Sequence, residues 1–435
     1  MRHPQADLMT LTGDGIGSDV LVQKYGGSSL ATTDKVRSVA DRIATAHRTG
    51  HRIVVVVSAQ GETTDELQRL ASELNPAPSG RELDQLLATG ETASAALMAM
   101  ALQGIGVPAV ALSGMQSGMM ATGKHGSGII VAVDTERIVE LAQAGTVVVV
   151  AGFQGVDAAG DVITLGRGGS DTTAVAIAAE LRTSRCEIYT DVDGVYTADP
   201  RVLATATLMP TVDADVMMEM SFVGARVMHS RAVELAAMYG VDICVRNSSS
   251  AALGTLIQGR DGVGMFESKA AVLAVVHDVD VVRVVMRIAA RAEGELTAAV
   301  FRVLARHAIP ADVTVLSNDG GAGFSVGMTV RRSDANQVCT AITEIGVGLA
   351  DRVEIDDSVG RLSIVGKGLL NRPEYAARML TSLARVDIPA GSICTSQLRI
   401  SVTVPVDTVV RAVAVLHNEF DLASGSSMVA PGYRS

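Results

Sequence analysis

The sequence predicts an α/β protein: a largely parallel sheet covered by helices, followed by two ferredoxin-like βαββαβ modules. Three observations carry this. Wholly apolar, β-branched runs such as Ile53 to Val57 and Val147 to Val150 alternate with helical patterns as far as about residue 260. Two glycine-rich turns each sit between a strand and a helix. Beyond residue 270, Leu304-Ala305-Arg306-His307-Ala308-Ile309-Pro310-Ala311 recurs 79 residues later as Leu383-Ala384-Arg385-Val386-Asp387-Ile388-Pro389-Ala390.

Taken in order, residues 1–19 form a tail. Gly13-Asp14-Gly15-Ile16-Gly17 lies in it with no strand before it and no helical pattern after it, so it is not read as a nucleotide loop. Val22 to Leu30 ends a strand in Lys24-Tyr25-Gly26-Gly27-Ser28-Ser29. The segment Thr33 to His47 then places Val36, Val39, Ala40 and Ile43 at helical spacing. The strand Ile53 to Val57 leads through Thr64 and Asp65 into a helix ending at Leu74. Asn75 to Gly80 is a loop, and Arg81 to Leu102 is a helix interrupted at Thr89-Gly90-Glu91, because a glycine and a carboxylate inside a helical pattern cost stability. Glu91 is then either a solvated kink or a ligand group.

Short strands follow at Ala109 to Leu112, Ile129 to Val133 and Val147 to Val150. Next comes Leu165-Gly166-Arg167-Gly168-Gly169-Ser170-Asp171 and an alanine-rich helix, which Ser170 or Asp171 is placed to cap. A strand from Cys186 to Thr190 ends in Asp191-Val192-Asp193-Gly194-Val195-Tyr196-Thr197-Ala198-Asp199-Pro200-Arg201. That run lacks the ligand spacing of a calcium loop. Helical patterns cover Ala214 to Phe222 and Arg226 to Tyr239, and the strand Asp242 to Arg246 closes the first region. A glycine-rich linker, residues 259–268, precedes the repeat. Each copy of the repeat has a strand before it (Val281 to Ile288; Arg361 to Val365), a helix leading in, and strands after it that include Phe324 to Val330 and Leu398 to Val404.

The bulk numbers exclude several classes. The 435 residues have room for two or three domains, and the net charge of −11 argues against nucleic-acid and anionic-membrane surfaces. Hydrophobic residues make up 48% but aromatics only 3%, so the core is aliphatic. No apolar run reaches the roughly 18 residues of a bilayer span, and no signal-peptide pattern opens the chain. Cys186, Cys244, Cys339 and Cys394 are scattered without a CxxC pair. They read as free thiols of a cytoplasmic protein, not a zinc site.

Both glycine turns suit anions, since a helix N-terminus offers unpaired N–H groups and partial positive charge. Lys24 places a cation at the mouth of the first, and Arg167 adds a planar fork to the second. Neither turn has the spacing of a Walker A loop or a dinucleotide fingerprint.

With these motifs assembled, the chain resembles the aspartate kinases of the actinobacterial lysine-and-threonine-regulated type, over roughly residues 20 to 425. The resemblance rests on Lys-Tyr-Gly-Gly-Ser-Ser at 24–29, Gly-Arg-Gly-Gly-Ser-Asp at 166–171 and Asp-Val-Asp-Gly-Val-Tyr-Thr-Ala-Asp-Pro-Arg at 191–201. It implies an amino-acid-kinase fold over residues 20–262 and two ACT modules, over 263–350 and 351–435. The strand near Ala271 to His277 would join the second module. It implies phosphorylation of the side-chain carboxylate of L-aspartate by ATP with Mg²⁺, the first step toward lysine, threonine and methionine. It also implies a homo-oligomer formed through the ACT modules, with no metal held by protein groups alone.

By the same resemblance, Lys24, Asp171 and Arg167 are catalytic. Thr64, Glu91, Arg167, Gly168, Gly169 and Ser170 bind aspartate, with Glu91 on its ammonium. Lys24, Tyr25, Gly26, Gly27, Ser28, Thr190, Asp191, Tyr196, Arg201 and Arg226 bind ATP. The allosteric positions are Ala292, Glu293, Gly294, Ser317, Asn318 and Gln397. The family's Gly-Glu-Arg stands here as Gly90-Glu91-Thr92, its Gly-Ala-Lys as Gly224-Ala225-Arg226, and its Asp-x-Pro-Gly effector turn as Arg291-Ala292-Glu293-Gly294. Gln60 stands where many members have Met or another residue. The usual Gln-Asn after the second strand is Ser317-Asn318, and a common Glu in the second module is Gln397. The effector departures predict weak inhibition by lysine and threonine. Two other readings stay open at this point: a kinase for another carboxylate in a specialised pathway, and a weakly catalytic amino-acid sensor.

Overall fold

The computed structural model describes residues 20–259, 271–288, 293–307, 309, 311–316, 324–345, 352–369 and 372–423. They divide into two compact units. The first takes in residues up to 194 together with 210–214 and 231–261. The second takes in 195–209, 215–230 and the chain from 262 onward.

In the first unit the strands are β1 (Val20–Tyr25), β2 (Arg52–Val57), β3 (Ala109–Leu112), β4 (Met119–Thr122), β5 (Ile129–Val133), β6 (Val147–Ala151), β7 (Gln154–Val156), β8 (Val162–Thr164), β9 (Arg185–Thr190), β10 (Thr211–Asp213), β11 (Asp242–Asn247) and β12 (Thr255–Gln258). The helices are α1 (Thr33–Arg48), α2 (Thr63–Leu74), α3 (Gly80–Gly104), α4 (Glu136–Gln143) and α5 (Gly169–Glu180). Next in the chain, α6 (Ala214–Phe222) falls almost wholly in the second unit and α7 (Ser230–Tyr239) almost wholly in the first. The main sheet runs β10-β12-β11-β9-β1-β2-β6-β3, and every pair in it is parallel except β11 with β12.

Parallel pairing explains the apolar runs: β6 is buried along its whole length, and β2 at every residue but its first. Full burial of each such aliphatic side chain contributes about 1.5–3 kcal/mol. Parallel pairing also brings the C-terminal ends of β1, β2, β6 and β9 to one edge of the sheet. The ladder continues past the strands there, with Gly26 N–H donating to Tyr189 O (3.2 Å), Ser58 N–H to Tyr25 O (3.1 Å) and Gly152 N–H to Val57 O (3.0 Å). Ligand loops of open α/β sheets gather at such an edge.

A second, smaller sheet, β5-β4-β7-β8, was not expected from the sequence beyond its strand β5. Its other strands have three or four residues, too short for a two-residue alternation to show. The expected break in α3 is also absent. The helix runs unbroken for 25 residues, and Gly90 lies at a close crossing where a side chain would begin 2.9 Å from Ala59 Cβ. Arg226 lies outside the helix expected to start there, since α7 begins at Ser230.

The second unit contains two four-stranded antiparallel sheets. Its remaining elements are β13 (Ala271–Asp278), β14 (Val281–Ile288), α8 (Glu293–His307), β15 (Asp312–Leu316), β16 (Phe324–Arg331), α9 (Arg332–Ile345), β17 (Arg352–Asp356), β18 (Val359–Lys367), α10 (Glu374–Ala384), β19 (Ile393–Thr395), β20 (Arg399–Pro405) and α11 (Val409–Glu419). One sheet runs β15-β16-β14-β17 and the other β13-β18-β20-β19. The strand β13 pairs antiparallel with β18, from Ala271 opposite Lys367 to Asp278 opposite Arg361. Although the expected boundary puts β17 in the later module, it pairs with β14 as the last strand of the first βαββαβ round. Nor do the compact units follow a single cut near residue 262. Ala198 packs in one apolar cluster with Val275, Leu362, Met379 and Leu416, joined by the half-buried Val202, Leu203 and Ala206. Thr197 Oγ1 lies 2.8 Å from the ring of His417, which is buried on α11.

A charged cluster knits this unit together. The guanidinium of Arg399 donates twice to Asp312 (2.6 and 3.0 Å), and its Nε lies 2.8 Å from Glu219. Arg361 donates to Asp312 (3.3 Å), Asp278 (3.4 Å) and the carbonyl of Phe222 (3.0 Å). Both guanidinium groups lie over the Phe222 ring. Cys186 and Cys244 are buried free thiols, and burial pushes the Cys186 thiol well up; Cys394 is only half-buried.

Candidate active site

Alternation along β1 sends Tyr25 and Lys24 to opposite faces. Tyr25 is fully buried, stacked on Tyr189 with ring centroids 4.7 Å apart, and its hydroxyl donates to Gln23 Oε1 (3.2 Å). Any part Tyr25 takes in nucleotide binding therefore falls to its backbone. Lys24 turns the other way, to the carboxylate of Asp171 at 2.7 Å. After Gly26 the chain makes a 3-10 turn over Gly27–Ser29, where Ser29 and Leu30 N–H donate to the Gly26 and Gly27 carbonyls. Gly27 has to be glycine, because a Cβ there would stand 2.5 Å from the Ala59 carbonyl oxygen. Ser28 is exposed, while Ser29 is buried with a hydroxyl that has no hydrogen-bond partner among the described residues.

The second glycine loop leaves β8 and enters α5. The residue that caps this helix is Gly168, in the left-handed region at φ 69°, with no side-chain bond. Ser170 and Asp171 were expected as caps. Both lie instead inside the first turn, buried, which frees Asp171 for Lys24. Phe153 also adopts a left-handed φ of 69°, a costly conformation for a non-glycine residue. It is held there by its N–H on Thr173 Oγ1 (3.2 Å) and by its carbonyl, which accepts from Leu165 N–H (2.8 Å). Arg167, between the two glycines, is exposed and has no ion pair among the described residues.

Glu91 is 3% exposed, which removes the solvated-kink reading. One carboxylate oxygen accepts from Ala59 N–H (3.1 Å), and the other is buried with no partner among the described residues. Burial raises its pKa to about 7. A buried carboxyl with one idle oxygen fits a positively charged ligand group. Thr64 is half-buried in the first turn of α2. Thr92, the residue after Glu91, has its hydroxyl on the Ala88 carbonyl (2.8 Å).

At the end of β9, Thr190 Oγ1 lies 3.1 Å from the exposed carboxylate of Asp191. Asp193 has a scaffold role instead, accepting from Asn247 Nδ2 (2.8 Å) and Ser250 Oγ (3.3 Å). Sequence reasoning missed Asp84, a carboxylate with four hydrogen-bond donors. It lies 1% exposed on α3 and accepts from Thr164 N–H (2.8 Å), Thr164 Oγ1 (2.7 Å), Gly126 N–H (3.0 Å) and the His125 ring (3.1 Å). Arg231 was missed as well. Its guanidinium donates to the carbonyls of Leu165 (2.7 Å) and Gly128 (2.9 Å).

The remaining expected positions belong to the second unit. Tyr196 is half-buried in a bridge with Leu208, Arg201 forks onto Asp199 (2.9 and 3.0 Å), and Arg226 is exposed. Gln397 is exposed, its carbonyl accepting from Leu369 N–H (3.2 Å). Glu293 and Gly294 open α8, whereas Ala292, Ser317 and Asn318 lie outside the described residues.

Comparison with known proteins bears on this arrangement. The sequence pattern of the amino acid kinase family matches residues 19–247, and that of an ACT domain matches residues 362–420. The chain is 40% identical over 415 residues to an aspartokinase of Corynebacterium glutamicum, covering 94% of this chain and 98% of that one. It is 37% identical over 412 residues to aspartokinase 2 of Bacillus subtilis, covering 94% and 100%. Among solved structures, aspartokinase III of E. coli in complex with aspartate and ADP superposes with a TM-score of 0.78 at 23% identity, over 92% of this chain and 100% of that one. The aspartate kinase of Synechocystis matches with a TM-score of 0.52 at 35% identity, over 96% and 71%.

Proposed function

The chain belongs to the aspartokinases of the amino acid kinase family, and from that premise we infer how its own residues carry the transfer of a phosphoryl group from ATP to the side-chain carboxylate of L-aspartate. The acceptor has an ordinary pKa of about 4 and is already ionised at neutral pH, so no general base is needed. The difficulty is holding two anions in line, and catalysis reduces to positioning and charge neutralisation.

The observation that carries the assignment of roles is the ion pair of Lys24 with Asp171. It joins the strand end that opens the phosphate-type turn to the first turn of the helix that follows the Arg167 loop. In this reading Lys24 and the Gly26 and Gly27 backbone neutralise the transferring phosphoryl group, and Asp171 fixes the direction of the lysine. Arg167, Ser170 and the Gly168-Gly169 turn take the α-carboxylate of aspartate. Glu91 takes its ammonium on the idle oxygen, and Thr64 adds a hydrogen bond. Ser28, Thr190 and Asp191 serve the nucleotide, and Tyr196, Arg201 and Arg226 are proposed nucleotide contacts on their motif alone. Mg²⁺ would be carried mainly on phosphate oxygens and water, as is usual where it serves a transferring phosphate. When bound there, the ion spreads the negative charge of the phosphates.

We assign the ACT modules to a homo-oligomeric interface. Among the described residues no helix is long and apolar enough to cross a membrane, and a cytoplasmic location is proposed. The decisive assay mixes the purified protein with ATP, Mg²⁺, L-aspartate and hydroxylamine. A hydroxamate should form with L-aspartate and not with glutamate or acetate as the acceptor. Equal turnover of another carboxylate would overturn the aspartate assignment.

A further inference from the structure

We propose that Asp84 is a positioning residue for the acceptor, setting the spacing between the group that holds the ammonium of aspartate and the loop that holds its carboxylate. This rests on the reading that Glu91 and Arg167 grip those two ends.

Asp84 and Glu91 lie seven residues apart on α3 and are both buried, at 1% and 3% exposure, so they share the inward face of one rigid helix. Neither is an ordinary core residue. Glu91 keeps an idle oxygen, whereas every hydrogen bond of Asp84 goes to the segments that support the second glycine loop. Two of the four come from Thr164, the last residue of β8, three residues before Arg167. The other two come from His125 and Gly126, next to the stretch in which Gly128 N–H donates back to the Thr164 carbonyl at 2.8 Å. Arg231 closes the same ring from outside, bonding the Leu165 and Gly128 carbonyls.

The carboxylate of Asp84 thus welds α3 to the base of the Arg167 loop. A buried carboxylate that accepts four bonds is a rigid joint, because each bond is strengthened by its charge and the site excludes competing water. Displacing a binding group by about 1 Å is enough to cost up to 10²-fold in rate. At 1% exposure Asp84 offers no surface to a substrate and takes part in no chemical step. The nucleotide turn after β1 is bonded to β2 and β9 and, through Lys24 and Asp171, to α5, but to none of the residues of this ring, so its geometry should depend far less on Asp84 than the Arg167 loop does.

The test separates the two substrates. Asp84→Ala should raise the KM for aspartate about tenfold or more while the KM for ATP stays within about twofold. Asp84→Asn keeps three acceptor bonds through its oxygen and turns its amide toward the Thr164 hydroxyl. It should recover most of the loss, leaving a rise of about threefold. If Asp84→Ala does not fold, the Asn variant decides alone, and an unchanged aspartate KM there overturns the proposal. A folded Asp84→Ala protein with wild-type aspartate KM, or with both KM values raised together, also overturns it. Arg167→Ala, measured in parallel, distinguishes the two failures. If it raises the aspartate KM and Asp84→Ala does not, only the positioning role falls. If neither raises it, the assignment of the acceptor site falls too.

Discussion

Lys24 Nζ stands 2.7 Å from Asp171 Oδ1, and the two side chains are only 12% and 9% exposed. A cation this enclosed is aimed by its partner before any substrate arrives. Its charge matters most when phosphoryl charge redistributes. Lys24→Ala should therefore lower kcat by about 10²–10³-fold while changing the KM for aspartate little. Steady-state kinetics with both substrates varied decide it, and near-wild-type turnover would contradict the role. The same change leaves Asp171 buried without its partner, so thermal stability should fall as well.

Arg167 should behave in the opposite way. Removing a charged partner from a desolvated zwitterion costs about 2–5 kcal/mol, roughly 30- to several-thousand-fold in affinity. Arg167→Ala should place that loss on the KM for aspartate and spare the KM for ATP. A loss shared equally between the two substrates would argue against the assignment.

Much of this site was legible in the sequence, and what was not has physical reasons. Gly26-Gly27 and Gly166 to Gly169 could be read as ligand turns because close backbone approach leaves a glycine signature, as at Gly27 against Ala59. Gly90 leaves the same signature for a different cause, the crossing of α3 over Ala59, and so was misread as a helix break. Asp84 was invisible for another reason. A lone aspartate near the start of a helix, two residues after Glu82, looks like one more charge complementing the helix dipole, and only the fold brings Thr164 to it, 80 residues along the chain.

Glu91 predicts a pH dependence whose sign can be worked out. Burial lifts its folded-state pKa to about 7, above the unfolded value of about 4.3. Its contribution to stability is therefore fully present below about pH 4 and is lost as pH rises through about 7. Aspartate binding runs the other way, since the ammonium needs an ionised partner. The KM for aspartate should fall as pH rises from 6 to 8, and Glu91→Gln should raise it and flatten the profile. A profile unchanged in the Gln variant would mean another group is titrating.

In the second unit, Asp312 accepts from two buried arginines, Arg361 and Arg399. Asp312→Ala would leave two positive charges short of a partner and should cost about 3–5 kcal/mol. Denaturant unfolding should show the loss; a change under 1 kcal/mol would mean that Glu219 and Asp278 suffice.

Regulation gives a further expectation. The resemblance drawn from the sequence implies an effector turn with Asp and Pro, where this chain has Arg291-Ala292-Glu293-Gly294, and a carboxylate where it has Gln397. Lysine plus threonine at low millimolar concentration should inhibit weakly or not at all when aspartate is subsaturating. Strong concerted inhibition would refute this.

The packing of Ala198 with Leu416, and of Thr197 with His417, bears on how this protein can be taken apart. A stop codon near residue 262 would not yield a free-standing kinase. It would leave Ala198, Val202, Leu203 and Ala206 without the apolar surface they fold against, and such a fragment should aggregate or bind hydrophobic dyes. Chimaeras that exchange regulatory halves between relatives must accordingly transplant residues 195–209 and 215–230 together with everything after 262. The unit of inheritance here is a packed body drawn from three stretches of chain, and a crossover that respects only the linker would split it.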